Sequence, residues 1–282
     1  MFDSLRVVLD VGGSSIKSGR VRRTDVSGFR MDPYDAQGSA EEILAAYTAV
    51  IRTHLDAAET RAAEVVLAHP GPFDYPRGIC LVEGVAKLEA LYGRDLRAAL
   101  SPALPPGCSL RFMNDAEAAI SGEARSGAGR PYGRVLGLTL GTGLGSAFLV
   151  DGRVVREGAG VPAGGEVYAV PWRGDIADQS FSARGLRARL RGIPGGDAPF
   201  EEMSRRIEAG DAALTAAFAA FGAELGEFLA PLVTAFRGEA VLVLGGLANL
   251  HAHFGPALAS HLPVPVLAGE LGPHAPLLGA VS

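Results

Sequence analysis

Cysteine is nearly absent: the 282 residues contain two, Cys80 and Cys108, far apart and in no CxxC pair. A disulfide framework and a cysteine-built zinc site are thereby excluded, and isolated thiols suit a reducing cytoplasm. Basic residues are in the minority, 26 Lys and Arg against 31 Asp and Glu, and the net charge of −5 argues against a nucleic-acid binder, which usually shows a basic face. The opening MFDSLRVVLDVGG lacks the basic flank of a signal peptide and runs straight into a strand pattern. No apolar run approaches a membrane span. The alanine-rich stretch 212–236 is interrupted by Gly222, Glu224, Gly226, Glu227 and Pro231, and is expected to be a buried or packing helix. The common nucleotide motifs are missing too. Neither glycine stretch reads GxxxxGK[ST]. Gly141-Thr142-Gly143-Leu144-Gly145-Ser146 has the wrong spacing for a dinucleotide fingerprint and leads into another strand, AFLVDGRVV, where that fingerprint opens a helix.

What is present is an ordinary globular composition, 48% hydrophobic and 20% charged, in a length that allows one large domain or two smaller ones. LRVVLDV (5–11) is a buried strand ending in glycines, followed by strands at 15–22 and 26–31. Residues 39–59 predict a helix with Ser39 as cap and Glu41 and Glu42 in its first turn. EVVLAHPGP (64–72) and CSLRFMND (108–115) are further strands, the second running into a helix over 116–125. Then come GRVLGLTL, a glycine turn, GSAFLV and an Asp151-Gly152 hairpin. Helices are expected at 181–190, 200–208 and 211–236, a strand at 239–246, a helix from about 248 to 261 and a last strand at 263–268. DVGGSSIKSGRV (10–21) and TLGTGLGSAFLV (139–150) are the same unit met twice. Such a duplication predicts two α/β domains facing each other.

Each glycine loop alone is what a tight hairpin turn requires. Two of matched context can also present bare N–H groups to the two sides of a polyphosphate. Asp10, at a strand end beside the first loop, is a turn former or a carboxylate that reaches magnesium through water. Lys17 is a solvated strand residue or an added positive charge. Asn114 and Asp115 stand at a strand-to-helix junction. One of them caps the helix, or Asp115 is a general base with Asn114 as a substrate hydrogen-bonder. Gly245-Gly246, between a strand and a helix, is a simple turn or a place for a flat ligand to stack.

DVGGSSIK, FMNDAEAA, LGLTLGTGLGSAF and VLVLGG, in that order and spacing, resemble the ROK family of the actin-like ATPase and sugar-kinase superfamily over nearly the whole chain. The resemblance implies two actin-like (ribonuclease H-like) α/β domains flanking a cleft: residues 1–115, and residues 116–282 with a tail that packs back on the first domain. It implies ATP- and Mg2+-dependent phosphorylation of a sugar hydroxyl in a hexokinase- or glucokinase-like cytoplasmic enzyme, with domain closure excluding water. ATP phosphates would lie on Gly12, Gly13, Ser14 and Lys17 and on Gly141, Thr142 and Gly143, and adenosine against Gly245 and Gly246. Asp10 would hold Mg2+ through water, and Asp115 would be the catalytic base. Asn114, Asp115, Glu166 and Asp178 would bind the sugar.

One departure concerns zinc. Many members carry GExGH followed by a CxCGxxGCxE zinc motif. Here the stretch reads Gly165-Glu166-Val167-Tyr168-Ala169, with Ala169 in the His position and no cysteines after it, so no zinc is expected. The family's sugar-loop Asn is not evident in PRGICLVEGVAKLEALYG, where Glu83, Lys87 and Glu89 are the polar candidates, and the sugar is left open. A weakly catalytic sugar sensor and a polyphosphate-using kinase are the alternatives. A repressor of this family would carry a helix-turn-helix before the first glycine loop, and only nine residues precede Asp10 here. The partners implied are a small sugar and a nucleotide, with no nucleic acid and no membrane; a homodimer is left open.

Overall fold

The structure, a computed structural model, describes residues 5–59, 63–84 and 87–281. By its internal contacts the chain divides into two compact units, one of Met1–Gly122 with Gly272–Ser282 and one of Glu123–Leu271.

The first unit opens with β1 (Arg6–Val11), β2 (Ser15–Arg22) and β3 (Asp25–Pro33), an antiparallel meander. Helix α1 (Ala40–Ala57) follows, and the expected Ser39 cap is part of a full capping box with Glu42. Next are β4 (Glu64–His69), the short β5 (Phe73–Asp74) and β6 (Ile79–Cys80), α2 (Leu96–Leu100), β7 (Ser109–Asn114) and α3 (Asp115–Ser126). The sheet order is β3-β2-β1-β4-β7, with β4 and β7 parallel to β1. Its two faces are covered by different helices because side chains alternate along a strand. Val7, Leu9 and Val11 pack with Ile43, Tyr47 and Ile51 of α1. Val8 turns the other way, toward Ala118 of α3 and Leu277 of the helix Ala275–Gly279. Asp10 has the parity of Val8, and it therefore ends β1 on the side where α3 begins.

The second unit repeats the pattern with β8 (Arg134–Leu140), β9 (Leu144–Val150) and β10 (Arg153–Val155). Asp151 and Gly152 have φ of 49° and 71°, the double left-handed conformation of a tight hairpin. A long insertion holds β11 (Pro171–Trp172), β12 (Asp175–Ile176), α4 (Ala177–Phe181), α5 (Ala183–Arg189), α6 (Phe200–Glu208) and α7 (Ala212–Phe236). The helix expected over 181–190 is α5, which begins after Ser182, whose side chain caps it, and the short α4 stands ahead of it where no helix was expected. β13 (Ala240–Leu244), α8 (His251–Ala259) and β14 (Val266–Ala268) complete the unit. The sheet order is β10-β9-β8-β13-β14, the same sequence of antiparallel and parallel neighbours as in the first unit.

By length and composition α7 is apolar enough to cross a membrane. It runs unbroken through Gly222, Gly226 and Pro231, and its Phe218, Phe221, Leu225 and Leu229 are fully buried with Phe254 and Leu258 of α8. It is a core helix. Gly222 allows the contact: a side chain there would strike the Phe254 carbonyl.

Candidate active site

In the first unit, Asp10 and Lys17 are directly paired across β1 and β2, and the Lys17 ammonium donates to Asp10 Oδ2 at 3.1 Å. The charge expected to serve a phosphate is engaged with Asp10. Asp10 is 8% exposed, and burial raises its carboxyl pKa against the pull of Lys17. The Gly12–Ser15 turn follows, closed by the Gly12 N–H on the Ser15 carbonyl at 3.0 Å. The Tyr34 hydroxyl donates to the Gly12 carbonyl at 2.6 Å and pins the turn from outside.

Asn114 and Asp115 take different roles. Asn114 Oδ1 accepts the Glu117 N–H at 3.0 Å, which is the capping bond of α3. Its Nδ2 donates to the Tyr75 hydroxyl at 3.0 Å. The Asp115 side chain stays local, its Oδ1 accepting the Ala116 N–H at 2.8 Å. Burial, and after it the charge of Asp10, push its carboxyl up to about 6, against the Ala116 N–H and the charge of Lys87. A carboxyl so placed is mostly ionised at neutral pH and still basic enough to take a proton.

Lys87 was one of three polar candidates in the sugar segment. It is the one whose charge reaches Asp115. A side chain placed on Gly13 would meet Lys87 Cδ at 3.5 Å and its Nζ at 4.0 Å. Glu83 and Glu89 are exposed, and residues 85–86 of the segment lie outside the described residues.

In the second unit, Leu140 and Leu144 pair across a three-residue turn, Gly141-Thr142-Gly143. Gly143 lies 3.4 Å, measured from a methyl placed on it, from Asp178 Oδ1, and that oxygen accepts the Leu144 N–H at 2.8 Å. Asp178 Oδ2 takes Arg184 at 2.6 Å. Both oxygens of this expected sugar ligand therefore have protein partners, and they brace the glycine turn. None of Gly12, Gly13, Gly141 and Gly143 has a positive φ; Gly141 stands in open space, whereas a methyl on Gly12 would lie 2.9 Å from the Ser15 carbonyl. Gly245 is different. Its φ of 87° is accessible to glycine, and a methyl on it would lie 2.6 Å from the Leu140 carbonyl.

The ends of parallel β8 and β13 thus bring Gly141, Thr142 and Gly246 into one pocket of about 570 Å³. Ala183, Phe200, Glu201, Ser204, Arg205, Leu247, Asn249 and Leu250 line the rest. A pocket of this size, mainly apolar with a few polar groups, at the carboxyl ends of parallel strands, fits a nucleoside. The residues from α6 carried no sequence signal beyond an amphipathic helix.

Glu166 is exposed between two short helical turns. Ser146 holds both its neighbours, donating to the Gly165 carbonyl at 2.7 Å and accepting the Val167 N–H at 3.0 Å. The Tyr168 hydroxyl is hydrogen-bonded to Glu166, and burial, then Glu166, raise its pKa. Among the described residues no group of three His, Cys, Asp or Glu side chains converges as a metal cage would.

The ROK family model matches residues 7–281. A ROK hexokinase from Thermus thermophilus superposes with a TM-score of 0.80, at 25% identity, over 98% of this chain and 96% of that one. A ROK family glucokinase from Streptomyces griseus, solved with glucose and AMPPNP, gives 0.75 at 24% identity over 98% of each chain, a likeness of fold. An N-acetyl-D-glucosamine kinase from Erwinia tasmaniensis is 36% identical over 109 residues, 39% of this chain and 32% of that one. The match thus spans about a third of the length of that curated relative.

Proposed function

The chain belongs to the ROK family, with two actin-like α/β domains, and on that premise we propose that it is a carbohydrate kinase moving a phosphoryl group from ATP to a sugar hydroxyl. The observation that carries the reading is Asp115: a carboxyl raised to about 6, relieved of capping by Asn114, at the end of a parallel strand. It accepts the proton of the attacking hydroxyl. Adenosine occupies the Gly141–Gly246 pocket, whose glycines leave the backbone open to phosphate oxygens.

Asp10 suits magnesium held through water, being a buried carboxylate beside the Gly12 turn. That ion neutralises phosphate charge when bound. Lys17 steadies Asp10, and Glu166, fixed through Ser146, binds sugar hydroxyls. The protein uses no zinc and works in the cytoplasm.

The acceptor is a hexose or N-acetylhexosamine. The experiment is an ADP-release assay over glucose, mannose, N-acetylglucosamine and N-acetylmannosamine. A parallel measurement follows sugar phosphate with ATP or polyphosphate as donor. ATP-dependent transfer to one of these sugars is expected. Sugar binding without transfer would favour a sensor, a reading supported by the engagement of both Asp178 oxygens.

A further inference from the structure

We propose that Lys87 is a further catalytic residue, whose ammonium contacts the phosphoryl group as it passes from the Gly12–Ser15 turn to the hydroxyl that Asp115 deprotonates. The inference rests on the kinase reading above. Three observations place Lys87 there. Its side chain lies along the turn, with Cδ 3.5 Å and Nζ 4.0 Å from a methyl built on Gly13. Its charge acts on Asp115 and on His69, at the ends of neighbouring strands β7 and β4. The other cation at this turn, Lys17, is paired with Asp10, whereas Lys87 has no ion pair among the described residues.

The backbone holds this placement. Leu88 has a φ of 60°, unusual for a branched residue, yet its side chain is fully buried and its N–H donates to the Ala36 carbonyl at 2.6 Å. Packing of Leu88 sustains a conformation the residue does not favour alone, and the neighbouring lysine is aimed accordingly.

A half-buried cation without a carboxylate partner, set between a phosphate-binding turn and a general base, is placed for the charge that crosses between them. In the transfer the hydroxyl oxygen bonds to the terminal phosphorus as the bond from that phosphorus to the leaving diphosphate oxygen breaks. The hydroxyl proton goes to Asp115. Lys87 keeps its own protons throughout and offsets the charge on the phosphoryl oxygens.

The test uses the full chain and the sugar selected by the four-sugar panel, with Lys87→Met, Lys87→Gln and Lys87→Arg. Turnover of Lys87→Met and Lys87→Gln should fall about 10²-fold or more, the usual cost of removing one such stabilising group. Calorimetric affinity for the sugar should change by less than about twofold, while affinity for its phosphate ester falls about tenfold or more, corresponding to a lost charged contact. Lys87→Arg should recover part of both losses. Melting curves matching wild type would exclude a folding cause. Near wild-type turnover in a folded Lys87→Met protein overturns the proposal and leaves the kinase reading standing. So does an equal loss of sugar and sugar-phosphate affinity, which would make Lys87 a reader of the acceptor. Absence of transfer by the wild-type chain on every sugar removes both.

Discussion

The two units share a sheet, and they differ at the ends of its strands. In each, a three-stranded antiparallel meander is extended by two strands parallel to the first. At equivalent strand ends the first unit has charge: Asp10 with Lys17, then Asp115 with Lys87 nearby. At the end of β8, the counterpart of β1, the second unit has a glycine turn beside an open pocket, its charge set back in the Asp178–Arg184 pair that braces the turn. The hairpins differ as well, with four residues between the paired Val11 and Ile16 and three between Leu140 and Leu144. A repeated topology therefore supplies repeated positions, and the residues at those positions decide the chemistry. In the reading proposed here the first unit moves the proton and the second grips the nucleotide.

That division is broken most directly at Asp115. Asp115→Asn should cut turnover by roughly 10²–10⁴-fold, the usual cost of a lost general base. Its melting temperature should stay near wild type, because Asn114 provides the cap. Near-normal turnover in the folded variant would take Asp115 out of the mechanism.

The second unit offers the complementary test. Gly143→Val would press on Asp178 and confuse binding with folding. Gly141 has nothing within 4 Å of an added methyl, so Gly141→Val should fold normally. It fills the space assigned to phosphate and should weaken ATP binding about tenfold or more, a loss of about 1.4 kcal/mol. Sugar affinity should be unchanged. Unaltered ATP affinity by calorimetry would reduce the loop to a turn.

Within the second unit the adjacent glycines should separate. Gly245→Ala forces a side chain onto the Leu140 carbonyl at a φ of 87° and should cost about 1–3 kcal/mol of stability. Gly246→Ala enters open space and should leave stability unaltered. Denaturant titration of both variants decides this, and equal losses would contradict the local geometry.

The smallest effect is acid sensitivity, expected in the first unit. His54, facing Ser18, Arg20, Arg30 and Asp32, and His69, facing Tyr47, the Pro70 carbonyl and Lys87, are both held down to about 4, mainly by burial. The unfolded chain protonates them near 6.5, so their contribution is present above that pH and is lost as pH falls toward 4. Asp115, raised to about 6, has the opposite sign: its contribution is present below about 4 and is lost as pH rises toward 6. His54→Gln should therefore flatten the fall of melting temperature from pH 6.5 to 4, and Asp115→Asn should steepen it. Slopes that move together would discount these assignments.

Local signals were legible wherever a short stretch decides the conformation. The Ser39 cap, the Asp151-Gly152 hairpin and the strands bearing both glycine loops depend on neighbours in sequence, and they lie where the patterns placed them. The short α4 was not legible, because its five residues follow Ile176, which offers no side-chain cap to mark the start. The helix expected over 211–236, buried or packing despite its glycines, is α7. Gly222 is tolerated inside α7 because α8 packs against it, a contact with no local mark.

At the candidate site, sequence alone determined which residues stand at strand ends, because alternation and turn chemistry act over a few residues. It placed Asp10 and Asp115 there, and glycines where a backbone must stay bare. Only the tertiary structure decided what those residues do. It gave the cap to Asn114 and left Asp115 to a raised carboxyl, tied Lys17 to Asp10, engaged both oxygens of Asp178, and brought Lys87 to Gly13 and Phe200 to Gly246. Those outcomes depend on sheet order, burial and the charges that packing brings within reach, and none of these is a property of a residue's neighbours along the chain.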